Sequence, residues 1–177
     1  MKTFEVTVKF VTDYLQARFT EDAKKELENY VSQGIIKSAD DSWKTFLYED
    51  EDGIYIPNVQ LRNALVSAGR ELKVKKQRRS LEKWVISNVT VNPEKIYLNK
   101  TEPDRILVSY PMRKDGNRVI IKHPVINKGT AVSFEITIMD VMEDKTIKQL
   151  VEIAGKNCGI GARRRDMFGR FEVIKIS

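Results

Sequence analysis

The residues best equipped for chemistry in this chain fall in one stretch, Gly159-Ile-Gly-Ala-Arg-Arg-Arg-Asp-Met-Phe-Gly-Arg-Phe171. Gly159, Gly161 and Gly169 admit positive φ angles and let backbone approach a ligand closely. Successive N–H groups in such a loop form a concavity suited to anions. Arg163, Arg164, Arg165 and Arg170 add fixed positive charge in fork-shaped donors that match phosphate oxygens two at a time. Glycine with arginine therefore reads as phosphate recognition through loop amides and guanidinium groups. The same residues also fit a surface loop whose glycines end a helix and whose arginines are solvated, and residue chemistry leaves both readings open. The stretch lacks Gly-Lys-Ser/Thr, and it follows a helical pattern and leads into a strand. That context is the reverse of a nucleoside-triphosphate loop or a dinucleotide fingerprint.

Other groups are fewer. Lys75, Lys76, Arg78 and Arg79 belong to a basic run over residues 73–83, which either extends a phosphate-tracking surface or forms a solvated face. Tyr14, Trp43, Tyr48, Tyr55 and Tyr110 are aromatic candidates for stacking on bases, with none singled out over core packing. His123 and Cys158 are the sole histidine and the sole cysteine. An internal disulfide, a thiolate metal site and any mechanism needing two histidines are thereby excluded, and no metal site is expected. The chain has 177 residues, 41% hydrophobic and 32% charged, with a net charge of +6. This suits a folded domain that favours polyanionic partners. No apolar run is long enough to span a bilayer, and the alternating N-terminus reads as a strand rather than a signal peptide. A cytoplasmic protein with no membrane partner is expected.

The elements that must hold these groups follow from periodicity. Phe4, Val6, Val8 and Phe10 alternate with polar residues and predict a strand. A helix is predicted over 20–33, with Thr20 as its N-cap and Gly34 as its stop. Asp52-Gly53 predicts a tight turn before Ile54-Tyr55-Ile56, and Leu61, Leu65, Ala68 and Leu72 stripe a helix over 59–72. Residues 84–91 read as a strand, and 106–108 and 119–121 as a hairpin around a turn at 114–117. The alternation of Val132, Phe134, Ile136 and Ile138 predicts a strand, residues 145–157 a helix capped by Asp144, and 171–176 a closing strand. Without insertions at about 11–56 and 92–129, the order is βαββαβ. That predicts an α+β, ferredoxin-like (RRM-like) fold as one domain over residues 1–177.

The glycine–arginine stretch ahead of the closing strand resembles the glycine-rich loop of the RAMP superfamily of CRISPR-associated proteins. Two further segments resemble the same family in the same order: Ile54-Tyr-Ile-Pro-Asn-Val-Gln-Leu-Arg-Asn-Ala-Leu65 and Val125-Ile-Asn-Lys-Gly-Thr-Ala-Val-Ser-Phe-Glu-Ile136. Where family members usually carry Pro-Gly-Ser before the first helix, this chain has Pro57-Asn58-Val59. The resemblance is to the backbone subunits that line guide RNA in multisubunit effectors. It implies a modified RNA-recognition fold, antiviral defence as the context, and single-stranded or guide-like RNA as partner. Other effector subunits or copies of the chain itself are the implied protein partners. Non-catalytic RNA binding without a cofactor is the leading implication. The rival is an endoribonuclease of one of two kinds. One depends on a divalent metal through Asp40 or Asp41, in the insertion after the first strand. The other uses His123 as acid or base, although a histidine beside Pro124 also fits a structural role. A structural relative with no nucleic-acid role is the third reading.

Overall fold

The computed structural model describes residues 1–18, 25, 42–73, 80–110, 112, 116 and 120–177. The predicted helix over 20–33 therefore lies outside the described residues, as do Asp40, Asp41, Lys75, Lys76, Arg78 and Arg79. The described chain is a mixed α/β structure with antiparallel sheets.

Strand β1 (Lys2–Phe10) buries Phe4, Val6, Val8 and Phe10 on one face, as its alternation requires. After a short β2 (Tyr14–Leu15), β3 (Glu49–Asp50) and β4 (Gly53–Pro57) form a tight hairpin in which Asp50 opposes Gly53. Helix α1 (Asn58–Glu71) follows, with Leu61, Ala64, Leu65 and Ala68 buried. Helix α2 (Glu82–Asn88) runs directly into β5 (Val89–Asn92). The strand expected over 84–91 is thus helical in its first half. Leu81, Val85 and Val89 are buried at four-residue spacing, and Asn88 donates its side-chain N–H to the Trp84 carbonyl at 3.0 Å. The β-branched pair Val85-Ile86 disguised that helical period.

β6 (Lys95–Tyr97) pairs with β4, while β7 (Arg105–Ser109) pairs with β8 (Ile121–Ile126) in a register that sets Ser109 opposite Ile121. Most of the turn expected at 114–117 lies outside the described residues. β9 (Ala131–Ile138) leads to helix α3 (Asp144–Ile153), which is capped by Glu143 rather than Asp144. The helix widens into a π turn, Ala154–Cys158, and the chain closes with β10 (Phe171–Ile176). A Cβ on Gly155 would lie 2.1 Å from the Phe171 carbonyl, so this turn brings backbone directly against β10.

The main sheet has the order β10-β1-β9-β5, antiparallel throughout. Along the chain its strands and two longer helices follow as β1, α1, β5, β9, α3, β10. The helices cover one face, where the β1 side chains meet Leu61, Leu65, Ile147, Leu150 and Val151 in the core. Fully burying side chains of this size contributes about 1.5–3 kcal/mol each before entropy is counted. The opposite face is polar. Thr3 and Thr137 share a hydrogen bond at 3.2 Å, Thr7 and Ser133 one at 2.9 Å, and Glu5 stands opposite Glu135. Two three-stranded sheets, β2-β8-β7 and β3-β4-β6, are built from segments inserted between these elements.

Candidate nucleic-acid interface

The loop from the π turn to β10 is fastened to the corner between β1 and β2. The amide of Gly169 donates to the Asp13 carbonyl at 2.8 Å, that of Ala162 to Leu15 at 2.9 Å, and that of Arg170 to Thr12 Oγ1 at 2.9 Å. Thr12 Oγ1 donates in turn to the Met167 carbonyl at 2.7 Å. Within the loop, Ile160 donates to Gly169 at 3.0 Å, and the Ile160 side chain is buried. Gly159 closes the π turn by donating to Ala154 at 2.8 Å.

Two glycines make this packing possible. Gly161 has φ +79, and a Cβ there would lie 2.4 Å from the Leu15 carbonyl. Gly169 has φ +70, and its Cβ would fall 1.8 Å from the Ile160 carbonyl. Any side chain at either point would drive the loop off its support. Asp13 braces the corner from below by accepting from the Lys128 amide at 2.9 Å and from the Arg105 guanidinium. Burial alone would raise the Asp13 pKa, but these bonds and the two nearby cations prevail and hold it below the ordinary carboxylate value. Gln16 is fully buried beside this corner. Its Nε2 donates to the Tyr55 carbonyl at 2.9 Å, and its Oε1 accepts from the Tyr48 amide at 2.8 Å.

The same packing decides what the loop can offer a ligand. The amides of Gly159, Ile160, Ala162, Asp166, Met167, Gly169 and Arg170 all have intramolecular acceptors. The donors left to the loop are the amides of Gly161, Arg163, Arg164, Arg165 and Phe168 and the arginine side chains. Arg164 and Arg165 are exposed on a 3-10 turn (Arg164–Asp166), and among the described residues neither side chain has a hydrogen bond or ion pair. Arg163 is partly engaged: its Nε donates to Asp166 at 2.8 Å, and the guanidinium lies 5.6 Å from the Phe168 ring centre. Arg170 is only 9% exposed and tucked beneath the turn, with Nη2 donating to the Arg164 carbonyl at 3.2 Å. Thus one platform carries two free guanidiniums, one half-paired and one covered.

No protein-family model matches the sequence, and no curated protein matches it. Solved structures do. One match is a chain of the type III-B Cmr-beta assembly bound to cognate target RNA, with TM-score 0.57 and 18% identity; it covers 99% of this chain and 59% of that one. A second is a chain of a type IV-B CRISPR complex, with TM-score 0.54 and 10% identity, covering 99% of this chain and 90% of that one. The fold is shared with subunits of these assemblies. The present chain spans about three-fifths of the Cmr-beta chain it matches.

The remaining candidates are placed as follows. The described ends of the basic run lie close to the loop's root. Lys73 and Ser80 bridge to each other, and the neighbouring Glu71 carboxylate accepts from Asn157 Nδ2, in the π turn, at 2.5 Å. His123 is also 9% exposed, stacked 5.6 Å from Phe46, with Nδ1 lacking a partner among the described residues. Burial, reinforced by the Arg163 charge, pushes its pKa below the ordinary histidine value against the Gln16 backbone, so it is neutral near pH 7. Burial and the Glu71 carboxylate likewise push the Cys158 thiol upward, away from a reactive thiolate. Among the described residues no group of three or more His, Cys, Asp or Glu side chains could hold a metal ion, and no helix is long and apolar enough to cross a membrane.

Tyr14 is buried, stacked 5.1 Å from Phe10, and donates its hydroxyl to Gln60 at 2.9 Å. It supports Gly161 from beneath and has no open ring face for a base. Tyr55 packs against Tyr48 at 6.0 Å and Tyr97 at 5.9 Å, Trp43 is half-buried, and Tyr110 is exposed. Sequence reasoning missed Thr12, Asp13 and Gln16. A polar turn after a strand gives no local sign that it will hold a segment some 150 residues away.

Proposed function

We propose that this chain is an RNA-binding subunit of a CRISPR effector complex, a RAMP-type protein. In this reading the β10-β1-β9-β5 order belongs to a ferredoxin-like βαββαβ domain over residues 1–177, decorated by insertions at about 11–56 and 92–129. Arg164 and Arg165 take phosphate oxygens of single-stranded or guide-like RNA in the cytoplasm, with neighbouring effector subunits or copies of the chain alongside. The observation that carries the reading is the pair of unpartnered guanidiniums on a loop fixed by backbone bonds to Asp13 and Leu15. Guanidinium forks with no carboxylate partner give up no ion pair when they bind phosphate. The structural neighbours, one bound to target RNA and one from a CRISPR complex, support the setting. Binding is proposed ahead of cleavage by His123, whose side chain is buried; the alternative metal-dependent route through Asp40 or Asp41 falls outside the described residues.

The test is the Arg164→Ala/Arg165→Ala double variant, measured by fluorescence anisotropy on a labelled oligouridine across a salt series. Charge-assisted hydrogen bonds contribute about 1.5–3 kcal/mol each, so losing two should lower affinity at low salt by roughly 100-fold or more. The log–log salt slope should shrink by about 0.7 for each lost phosphate contact. The melting temperature should not move, since neither side chain is packed. Undiminished affinity in the double variant removes the loop from the interface.

A further inference from the structure

Arg170 is the one arginine of the loop whose donors are wasted. Its Nε and Nη1 are sealed from solvent and have no acceptor among the described residues. Its Nη2 makes a long 3.2 Å bond to the Arg164 carbonyl and lies 3.9 Å from Met167 Sδ. A buried cation with unmade hydrogen bonds is a costly arrangement, and it gives way when a better acceptor is offered. What covers the guanidinium is the turn from Arg163 to Met167. Both ends of that turn are non-glycine residues in left-handed backbone, with φ 54 and φ 69. The cover is thus strained at each end, whereas the platform below it is held by the Gly169–Asp13 and Ala162–Leu15 bonds. A groove of about 580 Å³ lies alongside, lined by Thr12, Lys156, Met167 and Arg170 and also by the acidic residues Glu152 and Glu172, with room for the side chain once freed.

We propose that the 163–167 turn is a latch over Arg170, and that RNA opens it. Phosphates drawn to Arg164 and Arg165 pull the turn outward and break the bond from Nη2 to the Arg164 carbonyl. Either bidentate face of a guanidinium includes Nη2, so breaking that bond together with its contact to Met167 Sδ frees a complete fork for a further phosphodiester. This inference rests on the RNA-binding reading above.

Two measurements test it. In the first, Arg170→Gln is titrated with the labelled oligouridine over the same salt series, after a thermal melt has verified that it folds. The expected result is a loss of about tenfold in affinity and a fall in slope of about 0.7, the signature of one missing phosphate contact. In the second, wild-type protein with ¹⁵N-arginine is titrated with the same oligomer while the Arg170 Nε–H resonance is followed. It should shift and change its solvent exchange together with the Arg164 and Arg165 signals. Wild-type binding with an unmoved Arg170 resonance and an unchanged slope in Arg170→Gln overturns the latch while leaving the RNA-binding reading intact. Absence of any binding by wild type overturns both.

Discussion

Lys95, Lys100 and Arg105, on or beside the small sheets, each rest on a carboxylate: Asp50, Asp104 and Asp13. Arg164 and Arg165 have no such partner among the described residues, although Asp166 is their immediate neighbour and is taken by Arg163. The first group is basic in composition but electrically satisfied. Lys95 shows this plainly: the Asp50 hydrogen bond raises its pKa and lowers that of Asp50. The second group is basic and unspent. A net charge of +6 does not distinguish the two, and only the second can replace the counterions of a polyanion without first breaking a bond. What sets the proposed interface apart is unpaired charge.

The contrast can be broken most drastically by removing the support. Gly169→Ala places a Cβ 1.8 Å from the Ile160 carbonyl at φ +70, so a loss of at least ~3 kcal/mol, or failure to fold, is expected in urea titration. Gly116→Ala is the matched control. It has φ +84 but nothing within 4 Å, and should cost only about 1 kcal/mol.

A smaller effect is expected at the brace. Asp13→Asn removes the charge that Arg105 and the Lys128 amide hold, and should cost about 1–3 kcal/mol at pH 7. Because the folded pKa of Asp13 is depressed, its contribution is complete above the unfolded value of about 3.9 and is lost as pH falls through the lower folded value. The wild-type stability curve should therefore fall more steeply than that of Asp13→Asn below about pH 4, and parallel curves in acid would show that Asp13 is not the brace.

The smallest effect sharpens the comparison. Asp166→Asn frees Arg163 from an exposed pair whose strength is under about 1 kcal/mol. RNA affinity at low salt should rise roughly two- to threefold, with no change in melting temperature. A fall would mean that Asp166 orders the turn more than it competes for its cation.

Much of the main sheet was legible because its strands have one wet and one dry face. Alternation located β1 and β9 within a residue or so, and helical spacing located α1 and the start of α3. It failed where two signals conflicted, as at Val85-Ile86, and where cap chemistry had two acidic choices, Glu143 and Asp144. In the loop, residue types told which groups could meet a phosphate but not where the amides would be spent. That depended on Thr12, Asp13 and Leu15, and a contact at such sequence separation leaves no periodic trace. The burial of Arg170 was invisible for the same reason.

The polar face of the main sheet bears on how a nucleic acid would approach. Thr3, Thr7, Ser133 and Thr137 satisfy one another there, and Glu5 and Glu135 present negative charge side by side in register. On the RNA-binding reading, these two carboxylates would disfavour phosphates at their own point of the surface, while Lys175, opposite Thr7 in the same sheet, would not. An approach from the β1–β2 corner, where the proposed arginine contacts lie, would then meet less repulsion than one across the Glu5–Glu135 pair.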